Sequence, residues 1–292
     1  IRRPPRSTPK PSSAASDVYK RQNSKRPESK TVDVYDEYNQ IKSFQITGEL
    51  PLTIYVNKKE IVTLMTLGHY PESLVIGYLR NQGFVSQISD IDSVQVDWDT
   101  NSAAVVIRKN LEDFENKLTH RVVTSGCGQG TTFGGIWDDL KDKNLQTSKL
   151  KQSTIYKILK LLHDKNEIYR QSGAVHGCAI CDESIIIDFI EDVGRHNAVD
   201  AIAGNMWLND IDSKNKMFYT TGRLTSEMVI KVAQMNISYL ISRSGITEMG
   251  LNVAKETGVT LIGRAKGRHF LVYHCLLYTS PSPRDKRQSR MP

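Results

Sequence analysis

Apolar positions fall into two regimes along the chain. Between Ile46 and Arg108 they come in short runs rich in β-branched residues. From Ser153 onward, strand-like runs alternate with stretches of helical spacing. In the first regime, Ile46–Val56 and Ile61–Thr66 predict strands, and Pro51 marks an edge or a break in the first of them. Pro71–Asn81 predicts a helix, with proline in the first turn and Leu74, Tyr78 and Leu79 on one face. Val94–Trp98 and Ala103–Arg108 flank the turn-forming Asp99-Thr-Asn101 and predict a hairpin. Asn23–Ser43 is polar and reads as loose or extended.

In the second regime, Ser153 is placed to cap a helix whose apolar positions are Ile155, Ile158, Leu159 and Leu162. Strand patterns follow at Ala174–Cys181, Ser184–Phe189, Lys216–Thr221, Tyr239–Ser242, Val259–Ile262 and Phe270–Tyr273. Helical patterns lie between them at Asn197–Leu208, Ser226–Gln234 and Glu248–Thr257, the last ended by Gly258. Strands alternating with helices predict an α/β layered fold with a largely parallel sheet. The polar, lysine-rich stretch around Asp138–Lys151 marks a boundary between a smaller N-terminal α+β domain (23–145) and an α/β domain (146–274).

Charge changes this picture only at the ends. The formal net charge is +7, which by itself points to nucleic acid or an anionic surface. The excess, however, lies in residues 1–22 and 275–292, which read as translated sequencing adapter and are set aside from fold reasoning. The body between them carries 29 basic and 30 acidic residues, so neither nucleic acid nor a charged membrane surface is expected. It has no apolar run of about 18 residues, and its three cysteines do not suggest a secreted disulfide framework. A reducing cytoplasm is the expected setting.

Six segments carry candidate chemistry. Cys127 stands in Ser125-Gly-Cys-Gly-Gln-Gly130, where flanking glycines let a thiol be approached from several directions; the alternative is a small buried hydrophobe. His176-Gly-Cys178-Ala-Ile-Cys181 offers three soft ligands suited to zinc, or a redox pair, or simply core residues of a strand. Three strand-to-helix turns share one design, with glycine, arginine and small polar residues at a helix start: Gly194-Arg195-His196-Asn197, Gly222-Arg223 and Ser242-Arg243-Ser244. At one edge of a sheet they would bind an anion, whereas each alone is explained by capping. The sixth, Gly263-Arg-Ala-Lys-Gly-Arg-His269, is a basic turn between strands: a phosphate grip or a solvated hairpin tip.

Together these strings resemble the FdhD/NarQ family of formate dehydrogenase accessory sulfurtransferases. The matching residues are Glu49-Leu-Pro-Leu with Val56-Asn57, Ser125-Gly-Cys-Gly, Gly173-Ala-Val-His176, Asp192-Val-Gly-Arg-His-Asn-Ala-Val-Asp200, Gly222-Arg-Leu-Thr-Ser-Glu-Met228, Ser242-Arg-Ser244 and Thr260-Leu-Ile-Gly263. The resemblance implies a cytidine-deaminase-like larger domain, a homodimer, a cysteine desulfurase as sulfur donor, and a formate dehydrogenase as recipient. It implies Mo-bis(molybdopterin guanine dinucleotide) as the bound substrate that accepts the sulfur, with no catalytic metal of the protein's own. Cys127 then matches the persulfide-carrying residue, and Arg264, Ala265, Lys266, Gly267, Arg268 and His269 match the cofactor segment. Gly194, Arg195, His196, Asn197, Gly222, Arg223, Ser242, Arg243 and Ser244 would hold the nucleotide and pyrophosphate parts. Two departures stand out. Gly130 replaces a second loop cysteine, which implies a one-thiol relay. Arg264 and Lys266 replace an aromatic and an arginine of the cofactor segment, and lysine cannot clamp a phosphate bidentately. Two rival readings remain: a cofactor-binding chaperone in which Cys127 is incidental, and a zinc hydrolase using His176, Cys178 and Cys181.

Overall fold

The computed structural model describes residues 29–108 and 150–273 and, between them, 122–123, 130–131, 140 and 145. Cys127 lies outside the described residues.

The chain opens with an antiparallel hairpin, β1 (Ser29–Tyr35) and β2 (Ile41–Thr47). The loose segment expected there is instead ordered strand. Its polar composition hides an alternation, with Val32 and Val34 on one face of β1 and Val32 opposite Phe44 of β2, and Asp36 closes the turn by accepting the Tyr38 and Gln40 N–H groups at 2.9 Å each. The single strand expected over Ile46–Val56 is likewise divided, between β2 and β3 (Leu50–Val56).

β3 pairs with β4 (Lys59–Thr66) on one side and with β6 (Ser102–Ile107) on the other, and β6 pairs with β5 (Ile91–Asp97). Pro51 is tolerated inside this sheet because β6 bonds β3 only from Thr53 to Val56, so the missing N–H falls beyond that ladder. α1 (Pro71–Asn81) has the bounds its pattern predicts. Farther on, β7 (Val122–Val123) and β8 (Gly130–Thr131) form a short antiparallel pair.

The second half holds a six-stranded sheet in the order β10-β9-β11-β12-β13-β14. The strands are β9 (His176–Cys181), β10 (Ile186–Asp192), β11 (Met217–Thr220), β12 (Tyr239–Ser242), β13 (Thr260–Lys266) and β14 (His269–Val272). Parallel pairing is confined to β11, β12 and β13; β9 runs against both its neighbours, and β14 folds back on β13. The largely parallel sheet read from the alternation is therefore a mixed one. Short hairpin links set the antiparallel pairs β9–β10 and β13–β14, since a parallel neighbour needs a longer crossover, and β11 then adds to the other side of β9. The fold is mixed α/β.

Helices cover both faces of this sheet. On one face lie α4 (Arg195–Leu208), α5 (Ser226–Gln234) and α6 (Glu248–Thr257), packed against Cys178, Ile180, Phe218, Leu240 and Leu261. On the other, α2 (Gln152–His163) packs Ile155, Ile158 and Leu162 against Ala179, Cys181, Tyr219 and Ile241. A short α3 (Glu167–Ser172) follows α2. Ser153 does not cap α2: the helix starts one residue before it, after Lys151, with no side-chain cap bond. Gly258 ends α6 in the left-handed region (φ 76°), as its position predicts.

The buried cluster on the α4 face continues into the N-terminal sheet through α1. There α1 and α4 cross with their backbones in contact at two glycines. A Cβ on Gly77 would lie 1.7 Å from the Asp200 carbonyl oxygen, and one on Gly204 1.9 Å from that of Ser73. Only glycine permits this contact. Being packed on both sides makes α4 buried around nearly its whole circumference, so its sequence has little amphipathic period.

Candidate functional site

β10, β11 and β12 run in one direction, because β9 is antiparallel to both β10 and β11. The three glycine–arginine turns therefore emerge at the same edge of the sheet, as expected from sequence. The loops after β11 and β12 are tied to each other: Leu224 N donates to Gly245 O at 3.0 Å and Thr247 N to Leu224 O at 3.0 Å. Arg264 N, at the same edge, donates to Ser244 O at 2.9 Å.

Several of the residues picked from sequence spend their polar groups inside this frame. Asn197 is buried, and its amide donates to Met65 O at 2.6 Å and to Asp192 at 2.9 Å. Asp192 also accepts from Thr66 Oγ1 at 2.5 Å, Leu67 N at 3.0 Å and Gly194 N at 3.0 Å. It thus fastens the end of β4 to the start of α4, with burial pushing its carboxyl up and these bonds opposing. Ser242 Oγ donates to Gly222 O at 2.6 Å and accepts from Ser244 N at 2.9 Å. Ser244 Oγ donates to Thr221 O at 3.0 Å. These serines and Asn197 shape the edge. Ala265 is buried in the cluster on the α2 side.

The remaining cations divide between the two faces. Arg243, Lys266 and Arg268 turn to the α2 side. Together with Lys157 and Lys160 of α2 they line an open groove of about 800 Å³, with Tyr156, Tyr219 and His163. None of these five cations is ion-paired among the described residues, and no Asp or Glu is among the described residues lining the groove. Arg243 is steadied by the Tyr169 ring, 5.3 Å from its Cζ. Burial pushes the Tyr219 hydroxyl up to about 12, with Arg243 opposing that shift. Arg264 and His269 are exposed on the same β13–β14 hairpin; Gly267 makes its turn with φ 61°. The sequence reading of this hairpin as a possible phosphate grip missed its other wall, because Lys157 and Lys160 look like an ordinary solvated helix face. Their three-residue spacing, opposite the apolar stripe of α2, was the available signal.

On the other face, Arg195 and His196 lie in the first turn of α4 rather than in a loop before it, since the helix begins two residues earlier than its apolar pattern indicates. Arg195 packs across Gly222, where an added Cβ would meet its Cδ at 3.0 Å. His196 Nε2 lies 3.1 Å from Glu227 Oε2, off the axis of a hydrogen bond. Its pKa is held well below the usual histidine range by burial, then by Lys231, Arg195 and His176. Beneath it, Lys231 Nζ donates to both oxygens of Asp200 at 2.7 and 2.9 Å, and Asn81 adds a bond at 2.7 Å. Burial raises Asp200 while Lys231 opposes; two bonds this short are those of an ammonium–carboxylate pair. The pair was missed in sequence, although a lysine inside the apolar run Met228-Val-Ile-Lys-Val232 is itself a sign of a buried partner.

Cys178 and Cys181 lie three residues apart on β9, and a strand's period of two turns them to opposite faces. His176, Cys178 and Cys181 therefore do not converge as a ligand set, and the two thiols cannot form a disulfide. Both are buried, and burial pushes each up to about 12. Among the described residues, no group of three or more His, Cys, Asp or Glu is arranged to hold a metal ion, and no helix is long and apolar enough to cross a membrane.

Known proteins resemble the chain over most of its length. The sulfur carrier protein FdhD of Listeria innocua is 33% identical over 265 residues, covering 88% of this chain and 97% of that protein. The protein of the same name from Bacillus pumilus is 31% identical over 233 residues, covering 80% and 89%. The crystal structure of a protein assigned as a formate dehydrogenase accessory protein from Desulfotalea psychrophila superposes with a TM-score of 0.68 at 27% identity, covering 85% of this chain and 98% of that one. The FdhD/NarQ family model matches residues 47–276, and the chain belongs to the FdhD/NarQ family.

Proposed function

We propose that this protein carries sulfur on Cys127 and delivers it to a Mo-bis(molybdopterin guanine dinucleotide) cofactor bound at the α2 groove, before a formate dehydrogenase receives that cofactor. The groove is the observation that carries the reading. Its volume of about 800 Å³ suits a nucleotide-sized portion of a ligand. Its five cations, with no carboxylate among the described lining residues, call for an anionic one, and a pyrophosphate supplies the missing charge. Ala265–Arg268, the middle of the segment matched to cofactor binding by family resemblance, forms one wall.

The sulfur step needs a thiolate. Cys178 and Cys181 are buried and shifted up to about 12, which leaves Cys127 as the remaining thiol of the body. Its thiolate attacks the outer sulfur of a persulfide on a cysteine desulfurase; the donor's S–S bond breaks and the donor cysteine leaves as thiolate. Cys127 then holds the outer sulfur as a persulfide; the acceptor would supply the electron pair of the new bond to that sulfur, the Cys127 S–S bond would break, and Cys127 would leave as thiolate. With Gly130 in place of a second loop cysteine, a single thiol serves the whole relay. A homodimer in the cytoplasm is the setting this reading carries with it. The relatives named sulfur carrier protein support the sulfur-carrying part of this reading.

The test is intact-mass spectrometry after incubation with a cysteine desulfurase and cysteine, comparing wild type with Cys127→Ala. A one-sulfur addition that vanishes in the variant is expected. An addition unchanged in Cys127→Ala, or full rescue of formate dehydrogenase by that variant, would reduce the protein to a cofactor-binding chaperone.

A further inference from the structure

The cations of the groove are all exposed, but they are not all held alike. Arg243 is gripped from two sides. Its Cζ stands 5.3 Å from the centre of the Tyr169 ring, within the reach of a cation–π contact. Its side chain also hydrogen-bonds the Tyr219 hydroxyl on the groove floor. Lys157, Lys160, Lys266 and Arg268 have no aromatic ring beneath them among the described residues. The difference matters for an arginine. Its planar fork takes a phosphate through paired bonds only when it is aimed correctly, and an unrestrained long side chain loses its rotamer freedom at the moment of binding.

Tyr169 is itself fixed by its backbone. Its N–H donates to Glu191 Oε1 at 3.0 Å, beside the Ile168 N–H on Glu191 Oε2 at 3.0 Å, so a buried carboxylate of β10 ties down the start of α3. Its carbonyl oxygen accepts the Gly173 N–H at 2.8 Å, where the helix ends with φ 70°. Thr47 of β2 bonds the Ser172 hydroxyl and braces the same helix from a third element. A helix of six residues has little stability of its own, so these ties are what place the ring. The ring is not among the described residues lining the groove, and its link to a bound ligand runs through Arg243.

We propose that Tyr169, carried on α3, is a positioning residue for the groove: its ring holds the Arg243 guanidinium ready to take a phosphate of the bound nucleotide. This role rests on the reading of the groove as a nucleotide site.

The test is calorimetric titration of the full chain with guanosine diphosphate, for wild type, Tyr169→Leu, Tyr169→Phe, Arg243→Gln and Tyr169→Leu/Arg243→Gln. Arg243→Gln is expected to weaken binding about tenfold or more, through loss of a charge-assisted fork. Tyr169→Leu is expected to weaken it about threefold to tenfold, and Tyr169→Phe, which keeps the ring, less than about twofold. The double variant is expected to bind no more weakly than Arg243→Gln, because the ring acts only through that side chain. Tyr169→Leu keeps every groove cation, so added potassium chloride is expected to weaken its binding as steeply as in wild type, whereas Arg243→Gln is expected to respond less. Affinity unchanged in Tyr169→Leu, an equal loss in Tyr169→Phe, or a full further loss in the double variant overturns the positioning role while leaving the groove as a nucleotide site. A wild type that does not bind the probe, or an Arg243→Gln that binds as wild type does, overturns the groove reading and this role with it. Should Tyr169→Leu fail to fold, Tyr169→Gln takes its place in the same comparison.

Discussion

The two faces of the six-stranded sheet treat charge in opposite ways. Under α4 and α5, Asp200 and Lys231 are almost completely buried and bonded to each other, and Asp192 is fixed by four hydrogen bonds. Under α2, the cations of the groove face solvent without a carboxylate among its described lining residues. Charge on the first face holds elements in register: Asp200 touches α1 through Asn81 and α5 through Lys231, so three helices meet at one carboxylate. Charge on the second face is kept unneutralised, which costs little in water and leaves it free for an anionic ligand. Arg195 belongs to neither pattern, being buried like the first and, like the second, without an ion pair among the described residues.

Removing Lys231 is the most direct way to break the contrast. Lys231→Met leaves the Asp200 carboxylate buried with only Asn81 for support, and is expected to cost about 3–5 kcal/mol in urea unfolding. The double variant Lys231→Met/Asp200→Asn removes both charges and is expected to recover a large part of that loss. A cost under about 1 kcal/mol for the single variant would mean that the pair contributes no more than a surface ion pair, and the contrast between the faces would fail.

The histidines give a smaller effect with a definite sign. His196 and His176 both have pKa values lowered in the folded protein, burial being the first cause for each. Below the ordinary histidine value of about 6.5 the unfolded chain therefore binds more protons than the folded one. Stability from these groups is present above that pH and is lost as pH falls through it. Unfolding measured from pH 7.5 to 5.5 is expected to show this decline, and His196→Gln is expected to flatten it. The buried carboxylates Asp188, Asp192 and Asp200 are shifted upward by burial and act in the opposite direction, so the difference between wild type and variant, rather than the wild-type slope, isolates His196. An identical slope in both proteins would contradict the buried, neutral imidazole.

How much of this was legible follows from which signals are local. α1 and the end of α6 were read correctly because Pro71 and Gly258 announce them within a single turn of helix. The common edge of the three glycine–arginine turns was also legible, since it needs only the direction of β10, β11 and β12. The direction of β9 was not, because the same apolar run suits either neighbour and pairing is decided by the short link from β9 to β10. α4 hid its true start for a related reason: packed against α1 as well as the sheet, it is buried all round, so Arg195 and His196 carry no periodic mark of being helical. The groove was half visible. The β13–β14 hairpin is one contiguous basic string, but Lys157 and Lys160 stand more than a hundred residues earlier and meet it only through the fold. The separation of Arg195 from Arg243 has no sequence signal at all, because the turns that carry them share one design and differ only in the face to which the side chain goes.

The smallest expected change in stability is on the groove side, and it sharpens the comparison from the other direction. Lys266 and Arg268 are exposed and without an ion pair among the described residues, so Lys266→Gln/Arg268→Gln is expected to alter unfolding free energy by no more than about 0.5 kcal/mol. The same variant is expected to weaken binding of a guanine nucleotide by about tenfold, because each lost cation removes a charge-assisted bond to phosphate. It should also make the remaining affinity less sensitive to added salt, since fewer exposed charges are left to be screened. A destabilisation comparable to that of Lys231→Met would mean that these cations hold the hairpin against α2. Unchanged affinity, measured by calorimetry in a variant as stable as wild type, would remove the groove as the nucleotide site while leaving the buried face as described.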